Sequence, residues 1–146
     1  MVIRGCPFPD ELYYDVRRHV WYREESGGRV VVGITAAGAA LAGDIVAFTP
    51  KRPGRTVESG HSCGIVESGK IVSPVYIACD ATVVAINENL MENPRLINRD
   101  PYGAGWMVAL KPADWAKARE ALTGASGLVA AYEKQMDADK FVGCFG

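Results

Sequence analysis

Val66-Glu67-Ser68-Gly69-Lys70-Ile71-Val72 is the stretch on which the reading turns: two short β segments folded back around a tight tip. Glycine meets no steric penalty at positive φ, which the central residues of two-residue hairpin tips usually need, so Gly69 marks the reversal. Lys70 then sits at or beside the tip. Strands on both sides hold its root while its amine reaches into water, which suits a covalent arm better than a buried catalytic base. Most exposed hairpin lysines merely add solubilising charge, so this stretch alone leaves that plainer role open.

Working outward, Glu58-Ser59-Gly60 is a turn ahead of the climbing strand. Pro74 places the descending strand, Ile71 to Ile77, at a sheet edge or bulge, because proline cannot donate to a ladder. Further back, His19 to Arg23 and Arg29 to Ile34 form a hairpin around Glu24-Glu25-Ser26-Gly27-Gly28. Thr35 caps a short helix over Ala36 to Leu41 that Gly43 stops, and Asp44 to Thr49 is the next strand, ended by the turn Pro50-Lys51-Arg52-Pro53-Gly54. Val83 to Ile86 is apolar throughout and reads as a strand buried on both sides. Residues 87–105 read as an ordered loop with a helical turn, and Trp106 to Lys111 closes the strand set.

Beyond Pro112 the apolar period becomes helical. Trp115, Ala118 and Leu122 lie on one stripe, and Leu128, Tyr132 and Met136 on another. The opening Cys6-Pro7-Phe8-Pro9-Asp10 is too proline-broken for regular structure and reads as an arm lying on the body. The tail from Phe141 to Gly146 is short and apolar, and docks or frays. The whole, 1–146, is expected to be one domain: a mainly β sandwich or flattened barrel with short helices, an N-terminal arm over 1–18 and a helical C-terminal region over 112–146.

At 146 residues a single core of adequate size can form. A net charge of −1 offers no general pull toward nucleic acid or anionic lipid. No apolar run is long enough to span a bilayer and no secretory pattern opens the chain, so the expected location is the cytoplasm. The four cysteines form no Cys-x-x-Cys pair, and with only two histidines no metal site is expected. The chain shows no nucleophile elbow, phosphate-cradling glycine loop or His-Glu-x-x-His, and its acidic pairs read as solvated charge. A folded chain so poor in catalytic groups is expected to be a carrier rather than an enzyme.

Several separated motifs give that carrier a family. They are His19-Val20-Trp21, Val32-Gly33-Ile34-Thr35, Leu41-Ala42-Gly43-Asp44-Ile45-Val46, Gly64 through Lys70, Val84 through Leu90, Glu92-Asn93-Pro94 and Asn98 through Trp106. In this order and spacing they resemble the H protein of the glycine cleavage system. The resemblance implies a barrel-sandwich hybrid of the lipoyl-domain kind, with lipoic acid in amide linkage on Lys70. It implies that Glu67 marks the site for a lipoate ligase or lipoyl transferase, that His19 stands near the arm, and that dihydrolipoamide dehydrogenase is among the partners.

The surroundings of the arm depart from the usual H pattern. Gly69 replaces a bulkier residue, and Ile71-Val72-Ser73-Pro74-Val75-Tyr76-Ile77-Ala78-Cys79-Asp80-Ala81 replaces the customary run after the lysine. These departures resemble the H-like lipoate-binding proteins of heterodisulfide-reductase-like sulfur oxidation. The first expectation is therefore a carrier of sulfur intermediates that docks on such a complex. The second is an aminomethyl carrier serving the glycine cleavage enzymes, and the third a binding or scaffold protein without lipoate. Cys63 and Cys79 are expected to approach the arm and Cys6 and Cys144 to meet near the termini, with at least one working thiol among them.

Overall fold

The computed structural model describes residues 1–145; Gly146, the last position of the expected tail, lies outside it. Two sheets face one another. The larger is built on the hairpin of β4 (Val20–Glu24) and β5 (Val30–Ile34), which pair antiparallel across a left-handed Gly27-Gly28 turn. It extends to β3 (Tyr13–Asp15) on one side and to β11 (Val108–Pro112), β10 (Ala81–Ile86) and β7 (Thr56–Val57) on the other. Trp21 pairs with Gly33, where a Cβ would lie 2.7 Å from the indole; only glycine lets the ring lie flat on its neighbour strand. The fully buried indole N–H donates to Pro101 O at 3.0 Å.

The smaller sheet has the order β6 (Ile45–Pro50), β8 (Ser62–Ser68), β9 (Val72–Tyr76). Its inner residues Ile45, Phe48, Cys63, Val66 and Val75 pack against Val20, Tyr22, Val32, Val83 and Leu110 of the larger sheet, forming the main core. Ser68 and Ile71 are joined by a backbone bond of 2.8 Å, so the antiparallel alternation makes Ile65 and Pro74 a non-bonded pair. Pro74 thus sits on the edge strand with its donor-less nitrogen turned outward, as its type requires.

A second apolar layer covers the outer face of the larger sheet. Helix α5 (Ala125–Ala138) seats Leu128, Tyr132 and Met136 against Tyr14, Trp21, Val31 and Ala109, together with Phe8 and Leu12 of the N-terminal segment. With a core on each face, all of Val30–Ile34 is buried, which explains its unbroken apolar sequence. On β10, Ala81 and Val83 are buried in the main core, while Val84 and Ala85, facing the outer layer, are only half-buried, as is Ile86, against the expectation of burial on both sides.

The N-terminal segment is more regular than its prolines imply. β1 (Val2–Ile3) pairs with β2 (Cys6–Pro7) around a left-handed Arg4-Gly5 turn, and Tyr13–Asp15 is a true edge strand, so 1–18 is part of the body. Met1 and Phe8 exchange bonds of 2.8 Å in both directions, so the alternation makes Val2 and Pro7 a non-bonded pair where the missing proline donor costs nothing. At the other end, β11 runs through Pro112 before α4 (Trp115–Glu120), which Asp114 caps by accepting from Lys117 N. The tail from Phe141 to Cys144 docks on the N-terminal hairpin through Cys144 N–H to Arg4 O at 2.9 Å and Arg4 Nη1–H to Phe141 O at 3.2 Å. Arg4 also pairs with Glu133 at 3.0 Å and Asp137 at 2.7 Å.

Candidate functional site

The hairpin tip is closed by a side chain. Ser68 Oγ accepts from Lys70 N at 3.1 Å and Ile71 N at 3.0 Å, and donates to Ala42 O at 2.7 Å. One buried hydroxyl thereby takes the place of a backbone carbonyl in the turn and fastens the turn to the end of α1 (Ala36–Ala42). This corrects the role expected of Gly69. It is not in the left-handed region, because the serine side chain, rather than a positive φ, satisfies the turn's amides. With open space around its Cα, Gly69 leaves the approach to Lys70 unobstructed.

Lys70 is exposed, and its ammonium donates to Leu41 O at 3.1 Å. Helix α1 that offers this carbonyl is capped as its sequence predicts: Thr35 Oγ1 accepts from Gly38 N at 3.1 Å, and Gly43, at φ 82°, turns back to Ala39 O. Glu67 is exposed on β8 next to the tip, with Val72 and Ala47 as its cross-strand neighbours. Val46 and Val72 are exposed beside the tip, and Ile65 and Tyr76 continue the same apolar sheet face toward its far end.

A groove of about 160 Å³ opens beside the tip, between α1 and the β8–β9 hairpin. Ile34, Leu41, Val66, Ile71 and Val75 give it apolar walls, and Arg18 and His19 stand at its polar end. His19, at φ 59°, is held by Tyr132 Oη at 3.2 Å from Nδ1 and Asp139 Oδ2 at 3.0 Å from Nε2. Tyr132 Oη also lies 3.1 Å from Thr35 Oγ1. Since Thr35 Oγ1 already accepts from Gly38, every group is satisfied when Thr35 donates to Tyr132, Tyr132 to Nδ1, and Nε2–H to Asp139. That pattern holds a neutral imidazole protonated on Nε2.

Burial lowers the His19 pKa below its ordinary value of 6.5, and Asp139 opposes the shift only in part. The folded protein therefore binds fewer protons than the unfolded chain as pH falls through that value, so this stabilisation is present above about pH 6.5 and is lost on acidification. His19→Asn, which tolerates the left-handed backbone, is expected to flatten the fall in Tm between pH 7.5 and 5 relative to the parent. Superimposable pH profiles of the two proteins would contradict this assignment.

The cysteines divide differently from expectation. Cys6 and Cys144 do meet, as a disulfide with Cα atoms 5.0 Å apart. Cys63 and Cys79 do not approach Lys70. Cys63 lies at the far end of β8 from Ser68, and Cys79 lies beyond the far end of β9. Both are buried, Cys63 as a core side chain between the sheets, and desolvation pushes their thiols up to about 12 and about 11. Native protein is accordingly expected to leave both unmodified by iodoacetamide at pH 8, each becoming labelled only in denaturant. Rapid labelling of either in the native state would show that burial does not protect it.

Two functional groups escaped the sequence reading. Ser68 lies within the Val66–Val72 stretch but gave no sign of being the hub of the turn. Tyr132 was legible only as a helical stripe position. Its signal was the hydroxyl itself, since a tyrosine on a buried stripe requires a polar partner.

Two facing sheets with a rigid hairpin tip define a barrel-sandwich hybrid of the lipoyl-domain kind. Residues 12–136 match the family described as glycine cleavage H-protein. "Glycine cleavage system H protein 2" of Aquifex aeolicus is 45% identical over 111 residues, covering 76% of this chain and 69% of that protein. "Glycine cleavage system H protein 5" of the same organism is 42% identical over 128 residues, covering 85% and 86%. The crystal structure of a glycine cleavage system H protein from Mycobacterium marinum superposes with a TM-score of 0.73 at 31% identity, covering 92% of this chain and all of that one. The chain belongs to the glycine cleavage H-protein family, whose members carry lipoic acid covalently on a lysine.

Proposed function

We propose that this protein carries lipoic acid in amide linkage on Lys70 and serves as a substrate passed between partner enzymes, with no catalysis of its own. The observation that carries this reading is an exposed amine at a tip fixed by Ser68, beside an apolar-walled groove of about 160 Å³. Bound there, the dithiolane supplies a sulfur pair that takes up electrons or a group and is regenerated. The chain's own part is presentation. Acylation removes the Lys70 charge but leaves an N–H able to donate to Leu41 O, so the root of the arm keeps its anchor. Ile34, Leu41, Val66 and Val75 can shelter the apolar chain, and neutral His19 stands at the end of that shelter.

In this reading Glu67 is the mark recognised by a lipoate ligase or lipoyl transferase, and dihydrolipoamide dehydrogenase re-oxidises the arm. The protein works in the cytoplasm; no helix among the described residues is long and apolar enough to cross a membrane. The names of the relatives favour an aminomethyl cargo exchanged with the glycine cleavage enzymes over the sulfur cargo expected from the tip. The sulfur reading, with docking on a heterodisulfide-reductase-like complex, stands second. It is supported by the altered Gly69 and Ile71–Ala81 surroundings and the apolar face that Val72 and Tyr76 present.

Incubating the lipoylated protein with purified glycine decarboxylase and glycine separates the two. Rapid appearance of an aminomethyl adduct by intact mass is the expected result for the first reading. Absence of loading, while an authentic H protein loads in parallel, would move the assignment to sulfur. A Lys70 that stays unmodified with lipoate and a competent ligase would leave only the scaffold reading.

A further inference from the structure

Cys144 Sγ lies 3.8 Å from Ala36 O in the first turn of α1, and Lys70 Nζ lies 3.1 Å from Leu41 O near the end of the same helix. At a rise of about 1.5 Å per residue those carbonyls are about 8 Å apart, which brings Cys144 Sγ within about 15 Å of Nζ. The helix surface between them is low: Ala40, one turn on from half-buried Ala36 and on the same face, is exposed and carries only a methyl. On a lipoyl-lysine the nearer sulfur stands roughly seven bonds beyond Nζ, about 9 Å when extended, and transient release of the Nζ–Leu41 O contact lets the exposed lysine methylenes swing through the remainder. The partner bond is suitably placed. Cys144 is half-buried at the surface, whereas Cys6 is fully buried behind it.

We propose that the Cys6–Cys144 disulfide is a redox partner in cis for the dithiol form of an arm on Lys70, the two exchanging an electron pair within one molecule. This rests on the reading of Lys70 as the lipoyl attachment point. One thiolate of the reduced arm attacks Cys144 Sγ, the Cys6–Cys144 bond breaks, and Cys6 leaves as a thiolate that takes up a proton. The arm's second thiol loses its proton, attacks the arm sulfur now bonded to Cys144, and expels Cys144 as a thiol. The dithiol is oxidised to a cyclic disulfide and the cystine is reduced to two thiols, so electrons and protons balance without an outside oxidant. Opening the disulfide does not part its halves. Arg4 still ties the N-terminal hairpin to Glu133, Asp137 and Phe141 O, keeping both sulfurs poised to close again.

The test begins by weighing intact protein co-produced with lipoate and a ligase, which reports acylation of Lys70 before any exchange is attempted. The arm is then reduced anaerobically with dihydrolipoamide dehydrogenase and NADH, quenched in acid, labelled with a maleimide and mapped by peptide mass. Labelling of Cys6 and Cys144 is expected to appear at least about tenfold faster than in Lys70→Arg or unlipoylated protein, at a rate independent of protein concentration. The reverse direction starts from protein with reduced cysteines to which ligase attaches oxidised lipoate, and is read as thiols appearing on the arm. No transfer in either direction on acylated protein, or equal labelling in Lys70→Arg, overturns the inference alone. An unacylated Lys70 at the first weighing removes both it and the reading beneath it.

Discussion

Lys70→Arg is expected to leave no lipoylated protein at all. Arginine keeps the positive charge and can still reach the Leu41 carbonyl, but its guanidinium is not a nucleophile that a ligase can acylate. The position is exposed and outside both cores, so unfolding free energy should change by no more than about 0.5 kcal/mol. Loss of modification with retention of fold separates a chemical role from a structural one. The measurement is intact mass after incubation with lipoate and ligase, paired with a denaturant melt. A lipoyl mass increment on the variant would place the attachment elsewhere and remove the reason for reading the hairpin as a carrier tip.

Ser68→Ala is expected to have the largest effect on the fold near the site. Removing the hydroxyl orphans the amides of Lys70 and Ile71 and the carbonyl of Ala42 at a position only 7% exposed. Groups left unpaired in that setting carry the desolvation cost of burial, so the variant should lose about 2–4 kcal/mol. Its lipoylation should also slow severalfold, because the lysine no longer stands on a fixed turn. Urea unfolding gives the first quantity and a ligase time course the second. A variant as stable as the parent would mean that solvent replaces the serine, and that the turn is not fastened to α1 through it.

The sequence was most legible where a residue type has only one structural use. Thr35 and Gly43 bracket α1 because a side-chain acceptor is needed at its start and a positive φ at its end. Pro74 announced an edge strand because it lacks a donor. The tip was located correctly by Gly69, yet for the wrong physical reason. Closure comes from a serine hydroxyl, and no spacing rule distinguishes a serine that closes a turn from one that faces solvent. The N-terminal hairpin was hidden by its prolines, whose local penalty is overridden by the apolar layer that buries Ile3, Cys6 and Phe8.

The resemblance placed His19 near the arm, but the groove and the groups that hold the ring in it were out of reach for another reason. Their geometry depends on Tyr132 and Asp139, more than a hundred residues away from His19 in sequence. Cys63 and Cys79 show the converse error: nearness to the tip along the chain was taken for nearness in space, whereas a strand carries its two ends apart.

The outward-facing nitrogen of Pro74 bears on how copies of this protein behave toward each other. The rim of β9 exposes Val72 and Tyr76, the kind of ribbon on which a second copy could lay down its own rim and begin to polymerise. The central position of that rim has no proton to offer, so a ribbon arriving there finds its ladder interrupted halfway. Crowded solutions of the protein should therefore stay monodisperse while the apolar surface remains open to dissimilar neighbours.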